Sequence, residues 1–424
     1  MKKLFTFLIA LVGISNLTNS QTFESFIISP PEKYLVGVKN IAFLDFENFN
    51  KDNYYNTYGG SAFVNYLSSA FSNETRGIYT LSGSGWFSGS KEGKTYIKSN
   101  GINKFQIIER GQLDKVLKEK NLGSNLALSD NQAAEVGKVL GIDALITGTI
   151  KYSYNTNRTY STYKDGSVVY TTENSCATEI TVKIISVANA QVIASKTFYY
   201  TAKDAKSGSD ESKVSTFDQL APFSLQVIAF QIANYISPSY VYIKAEFGKI
   251  KVAEFKEKAK KVGSYLESGD LKSAYALYKA IYDADNYNAI AAYNLSQLYL
   301  ITGDYEEASK WCEIATQIDS KEYYQSGENI KKWAASTKTL KEIGINIEKY
   351  DFSTNNDVLA QKTKTKGKKA DRFDVYEKAD KSSAVLSKVP GDTEFVVIEK
   401  SGEFVKIKLL GGKEGYISKV NVSE

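Results

Sequence analysis

The chain has 424 residues, 53 of them basic and 48 acidic, and it contains no histidine. Without histidine there is no Ser-His-Asp or Cys-His nucleophile, no histidine general base and no histidine-ligated zinc, copper or non-haem iron. Two cysteines, Cys176 and Cys312, are too few for a four-cysteine zinc site or an iron-sulfur cluster, so carboxylate chemistry and oxygen-ligated ions are what an enzyme would have left.

With 42% hydrophobic and 24% charged residues, the balance is that of a globular chain of about two to four domains. Thirty tyrosines and 21 phenylalanines against five prolines favour sheet faces and aromatic packing. A net charge of +5 does not point to nucleic acid as a partner.

Residues 1–20 read as a signal peptide: Lys2 and Lys3, an apolar run from Leu4 to Ile14, then Thr18-Asn19-Ser20 before Gln21. Its removal lowers the net charge to +3. No cysteine lies near the cleavage point, so the expectation is an exported protein that is not a lipoprotein, in the periplasm or on the periplasmic face of the outer membrane. Past this run no apolar stretch is long enough for a transmembrane helix.

A first domain over 35–240 alternates strand and helix signals. Val38 to Phe46 is a buried-strand run, and Gly59-Gly60 opens a helix with Phe63, Leu67, Ala70 and Phe71 on one face. A glycine-rich loop over 82–101 lacks Gly-Lys-Ser/Thr and is no phosphate loop. Its Trp86 and Phe87 either touch a partner or pack locally. Phe105 to Glu109 is a strand leading into a helix with Leu113, Val116 and Leu117 inward. A helix from Ser129 directs Ala133, Val136, Val139 and Leu140 to the core and stops at Gly141. Strands follow at 142–150, 180–187 and 191–200, the last two joined by Ala188-Asn189-Ala190. Phe217 to Ile236 closes the domain as an apolar helix with Pro222 near its start. Asp45 and Asp143 read as strand-end aspartates capping backbone. Glu109-Arg110 offers an ion pair or a helix-start contact. Cys176 and Cys312 read as small buried hydrophobes, since a disulfide would have to bridge two domains.

The second segment, 250–348, is helical and repetitive. Tyr265, Gly269, Asp270, Ala274 and Tyr278 recur 34 residues on as Tyr299, Gly303, Asp304, Ala308 and Cys312. These positions resemble the tetratricopeptide repeat over 255–322, with a capping helix from Ile330 to Ile343 around Trp333. Asn286 and Ser320 stand where the repeat usually has proline. Residues 354–372, with Lys362, Lys364, Lys366, Lys368, Lys369 and Arg372, read as a basic linker. The last segment, 373–424, alternates short strands and turns. Val389-Pro390-Gly391-Asp392, the run EFVVIEKSGEFVKIKL and Gly415-Tyr416-Ile417 resemble a bacterial SH3-like barrel, without that family's early Arg-x-Gly-Pro. Tyr376, Phe404 and Tyr416 are its candidate partner-binding aromatics.

Glu109-Arg110-Gly111-Gln112-Leu113-Asp114 and Leu140-Gly141-Ile142-Asp143-Ala144 running to Gly148 resemble the CsgG family of curli production and secretion proteins over 36–240. The resemblance implies an α/β periplasmic domain that forms homo-oligomers, and in the founding branch an outer-membrane pore. A pore hairpin would be Tyr152, Tyr154, Tyr160, Val168 and Tyr170 around Lys164-Asp165-Gly166, but Arg158 falls on the same face, and the 198–216 stretch has no apolar face.

The fold class expected is therefore multidomain: a CsgG-like α/β domain, all-α repeats and a small all-β barrel. Function is expected to be that of a non-catalytic envelope scaffold or adaptor, without cofactor or metal. It would assemble or secrete cell-surface material by binding envelope proteins through the repeats and peptidoglycan or peptide through the barrel. The alternative is a pore subunit for curli-like amyloid subunits.

Overall fold

The computed structural model describes residues 21–49, 59–81, 92–119, 130–353 and 360–423. The signal segment and Trp86 and Phe87 lie outside the described residues.

The α/β domain is built on a mixed sheet. Strands β2 (Asn40–Phe43), β4 (Gln106–Ile107), β5 (Ala144–Thr162), β6 (Val168–Ser186) and β7 (Gln191–Ser207) lie in the order β4-β2-β5-β6-β7, with β3 (Glu47–Asn48) beside β5. Pairing is parallel around β2 and antiparallel from β5 to β7. Helices α1 (Gly60–Ser72) and α4 (Phe217–Ile236) share one core with the sheet, which includes Phe63, Leu67, Ile180 and Ile228. Helices α2 (Arg110–Glu119) and α3 (Asp130–Leu140) cover the other face through Leu113, Val116 and Val136. Val139, expected inward, is 57% exposed, because the inward stripe on α3 is set by Ala133 and Val136 and Val139 falls outside it. The strands expected at 142–150, 180–187 and 191–200 are longer, since Ser, Thr, Tyr and Asn runs extend the ladder beyond the apolar core.

Each special position of the Leu140-Gly141-Ile142-Asp143-Ala144 to Gly148 element has a backbone role. Gly141 takes a left-handed φ of 64° just after α3. Asp143 accepts the main-chain N–H groups of Lys39 and Asn40, each at 2.8 Å, as a strand-end cap. Gly148 has no room for a side chain, since a Cβ there would lie 1.9 Å from the Thr181 carbonyl oxygen.

The segments flanking this domain form strands that no sequence signal above predicts. Strands β1 (Gln21–Ser29) and β8 (Ser239–Phe247) pair antiparallel as a two-stranded ribbon. The repeats follow as α5 (Lys256–Ser268), α6 (Leu271–Ala284), α7 (Ala289–Thr302) and α8 (Tyr305–Ile318), closed by α9 (Ser320–Glu342), which starts ten residues before the expected capping helix. The recurring Gly-Asp pair has a physical basis. Gly269 and Gly303 end their helices with φ of 76° and 88°, and Asp270 and Asp304 cap the next helices by accepting from Ser273 N and Glu307 N.

Arg76 is fully buried at the junction. Its guanidinium donates to the carbonyls of Ala70 and Phe71 at the end of α1, to Ser237 Oγ after α4, and to the Pro238 carbonyl. Burial lowers its pKa to about 10, so it stays charged at neutral pH.

The C-terminal module has strands β9 (Lys362–Thr365), β10 (Arg372–Tyr376), β11 (Val385–Pro390), β12 (Glu394–Ser401), β13 (Phe404–Lys408), β14 (Glu414–Ser418) and β15 (Val422–Ser423), ordered β11-β10-β14-β13-β12-β9-β15. Its own core contains Val375, Val389, Ile407 and Ile417. The basic stretch read as linker is partly strand: β9 pairs with β12 and β15, and Lys364 is neutralised by Asp392. Thr363 and Thr365 face inward, so lysine and threonine alternate across the strand, a pattern without large apolar residues to reveal it.

Arg76→Met should strip several buried carbonyls of their donor and lower the urea unfolding free energy by about 3 kcal/mol or more. Arg158→Ala, on an exposed side chain, should leave the urea midpoint unchanged. Cys176 and Cys312 are both buried and unpaired, and burial pushes the Cys312 thiol up to about 11. A thiol reagent at pH 8 should therefore label neither cysteine in the native protein and both in denaturant without reductant.

Candidate interaction surfaces

The helical module meets the α/β domain through the ribbon. One ribbon face, carrying Ile27, Ile243, Ala245 and Phe247, belongs to the same core as Leu266, Leu277, Leu298 and Tyr323 of the repeats. Phe247 stacks on Tyr278 at 6.1 Å with an interplanar angle of 2°. The ribbon packs mainly on α5, α7 and α9 and meets the second helices of the repeats, α6 and α8, through Tyr278 and Tyr305, which leaves most of both on the far side. Helix α7 is consequently buried on nearly all sides, which is why its apolar residues show no single stripe.

Polar groups fix the register. Asn294 accepts from Gly248 N and donates to the Gly248 carbonyl, both at 2.8 Å, and is itself fully buried. Tyr305 Oη donates to the Ile28 carbonyl at 2.9 Å. Beyond α9 the chain returns to the first domain: Glu348 N bonds Lys98 O, and Asn346 N bonds Asn100 Oδ1.

The β5–β6 hairpin separates the five residues expected to face lipid. Tyr152 is 2% exposed, and Tyr154 packs beside it on the Phe217 ring at 5.9 Å. Both therefore belong to the domain core, because α4 covers that part of the sheet. Tyr160, Val168 and Tyr170 lie on the distal, exposed part. There Arg158 sits 4.4 Å from the Tyr170 ring centroid and pairs with Glu211 at 2.5 Å. Beyond Ile150 the outer edge of β5 has no strand beside it among the described residues.

In the C-terminal module, Tyr376, Phe404 and Tyr416 come together on the sheet face opposite the core. Tyr376 is in register with Tyr416, its ring meets Phe404 edge-on at 6.1 Å, and Lys406 lies 5.8 Å from the Tyr416 ring. Phe404 is buried, so Tyr376 and Tyr416 form the accessible part. A separate cavity of about 340 Å³ collects Lys362, Lys366, Lys400 and Lys419. Sequence reasoning missed Lys400 and Lys419 because only folding brings them beside the 362–366 stretch.

The ion pair or helix-start contact expected at Glu109-Arg110 is made by Arg110 alone, which reaches Asp45 Oδ2 at 2.8 Å and Asp114 at 3.6 Å. Burial raises the Asp45 pKa, and the Arg110 charge opposes it. Asp45 is thus tied to a helix start and Asp143 to backbone, which leaves neither as a free carboxylate in a cleft. Among the described residues no group of three or more Cys, Asp or Glu side chains is placed to hold a metal ion, and no helix is long and apolar enough to cross a membrane.

Fold and surfaces together define a chain of three modules of non-catalytic types. Family models match in that order: "Curli production assembly/transport component CsgG" over residues 99–221, a tetratricopeptide repeat over 265–327 and a bacterial SH3 domain over 371–423. Among solved structures, the chain is similar to the LpoB C-terminal domain from Escherichia coli, at 9% identity and a TM-score of 0.24, covering 40% of this chain and 86% of that one. It is also similar to a PelC dodecamer from Paraburkholderia phytofirmans, at 12% identity and a TM-score of 0.23, covering 51% and 98%. Lipoprotein GNA1162 from Neisseria meningitidis matches at 12% identity and a TM-score of 0.22, covering 46% and 99%. No curated protein matches the chain.

Asn294→Leu should leave the Gly248 N–H and carbonyl buried without partners and destabilise the body by about 2 kcal/mol. Hydrogen exchange should accelerate in 239–248 before it does in β6.

Proposed function

We propose that this protein is an exported envelope scaffold, in which the CsgG-like domain self-associates and the SH3-like module recruits a partner or cell-wall polymer. The observation that carries this reading is the succession of three interaction modules, with the first two fused into one body by a shared core. Within that body the first-helix face of the repeats is filled by the chain's own ribbon, so envelope proteins would have to bind the repeats through α6 and α8. Self-association is supported by the edge of β5 from Lys151 to Thr162, unpaired among the described residues, a row of main-chain donors and acceptors of the kind that pairs with another strand. Recruitment by the SH3-like module is supported by the Tyr376 and Tyr416 face, with peptide or peptidoglycan as its ligand.

The pore reading is less well supported. It needs about 9 to 11 lipid-facing residues per strand, whereas Tyr152 and Tyr154 are committed to the core and the distal face carries Arg158.

Native mass measurement of the mature protein, extracted without detergent, should give a discrete homo-oligomer. Thr159→Lys with Ser161→Lys, which charges the free β5 edge, should shift the mass toward the monomer with an unchanged circular dichroism spectrum. A wild-type monomer at high concentration would defeat the scaffold reading. Detergent-requiring rings that conduct in planar bilayers would favour the pore.

A further inference from the structure

Helix α4 carries a stripe along the margin of its packing on the sheet, where Tyr235 meets Phe198 edge-on at 5.7 Å. Val227, Phe230, Gln231, Asn234 and Tyr235 recur at helical spacing and line an open cavity of about 490 Å³. That is the size of a ligand site, which typically spans about 300–1,000 Å³.

One wall is β7, through Lys196, Thr197, Phe198 and Tyr199. Successive strand residues point to opposite faces, so a cavity touching all four runs along the strand's edge. β7 ends its sheet, and over this stretch its outer edge has no backbone partner among the described residues. The opposite wall includes Tyr240 and Tyr242 of β8.

Two buried polar atoms in this cavity lack partners, Gln231 Nε2 and Asn234 Oδ1. A purely apolar ligand would leave both unsatisfied. An ionic ligand meets no free counter-charge, since Lys196 Nζ is held 2.5 Å from Glu32 and lies 4.7 Å from the Tyr235 ring. A free main-chain edge beside one unpaired amide donor and one unpaired amide acceptor matches another main chain. Asn294 shows the chemistry within this molecule, holding the N–H and the carbonyl of Gly248 with one carboxamide.

We propose that this groove binds an extended, uncharged peptide segment of another protein. The segment adds to β7 as a strand, meets Gln231 and Asn234 with its main chain, and places an aromatic or apolar side chain in the tyrosine-rich lining. Such a groove would exist whether or not copies of the chain assemble.

The test selects phage-displayed random heptapeptides on the intact mature protein, with the Gln231→Leu/Asn234→Leu double variant as counter-target. Circular dichroism and the thermal midpoint should first show that the variant is folded. Expected are enriched sequences without charge and with aromatic residues at alternate positions. As synthetic peptides these should bind the variant roughly tenfold more weakly or worse, and N-methylation at alternate backbone nitrogens should abolish binding. No enrichment over the counter-target, equal affinity for the variant, or indifference to N-methylation would each overturn the proposal. So would binding of a neutral oligosaccharide such as chitotriose, lost in the same variant, in place of any peptide.

Discussion

The body of this protein depends on a two-stranded ribbon buried against a two-repeat helical stack. Neither part is sufficient alone. An isolated pair of strands is marginal in water, and helical repeats of this kind need about three units to bury a continuous core. Helix α9 stacks on α8 as a further repeat would, and the ribbon's Ile243, Ala245 and Phe247 fill the first-helix face against α5 and α7. In return the helices cover the ribbon's apolar face. Because the ribbon is made from β1, at the start of the described chain, and β8, after the last helix of the α/β domain, the helical module is locked to that domain rather than tethered to it.

Arg76 explains how the chain enters that ribbon without unpaired carbonyls. Helices α1 and α4 end near the same point, each with a negative dipole end that needs a donor or a cation. A single guanidinium meets the last carbonyls of α1 and the Ser237-Pro238 turn after α4. The next residue, Gly77, has a φ of 97°, and a Cβ there would lie 1.9 Å from the Tyr240 carbonyl oxygen. The Arg76 carbonyl is thereby brought to the start of β8, where it accepts from Tyr240 N, while the Arg76 N–H donates to the Asn73 carbonyl. Among the described residues no carboxylate is in direct contact with the guanidinium; the carbonyls and, through Asn103, the nearby Glu74 charge supply the negative potential.

The parts of the fold legible in the sequence are those where periodicity and a special backbone position coincide. The repeats declared themselves through Gly269-Asp270 and Gly303-Asp304, since a left-handed glycine followed by a capping aspartate is both a sequence signature and a geometric requirement. The Gly141-x-Asp143 element was readable for the same reason. The ribbon was not, because Ser239 to Phe247 follows a long apolar helix and Gln21 to Ser29 follows the apolar run from Leu4 to Ile14, so neither stands out by contrast. The lysine-threonine alternation of β9 resembled a solvated tether because its inward residues are threonines. Among the candidate contact residues, Tyr376, Phe404 and Tyr416 converge as aromatics of adjacent strands should. Tyr152 and Tyr160 share a strand face yet differ in burial, since α4 ends its cover between them, and only tertiary packing sets where that cover stops.

The three-stranded part of the sheet presents two unlike edges, and the difference bears on how a scaffold could bind its own copies and other proteins at once. Along distal β5, Ser153, Asn155, Asn157 and Thr159 alternate with Tyr154, Thr156 and Arg158, so a strand arriving there finds main-chain groups and small polar side chains but no deep pocket. Such an edge suits a partner with the same flat polar pattern, as a second copy has. Along β7 the edge opens instead onto the aromatic stripe of α4, with carboxamides placed beside it. An identical β5 edge, with exposed Arg158 and few apolar side chains, would fill that groove poorly. In the proposed scaffold the chemistry of the two edges would separate self from non-self pairing, and occupation of one would leave the other open because β6 lies between them.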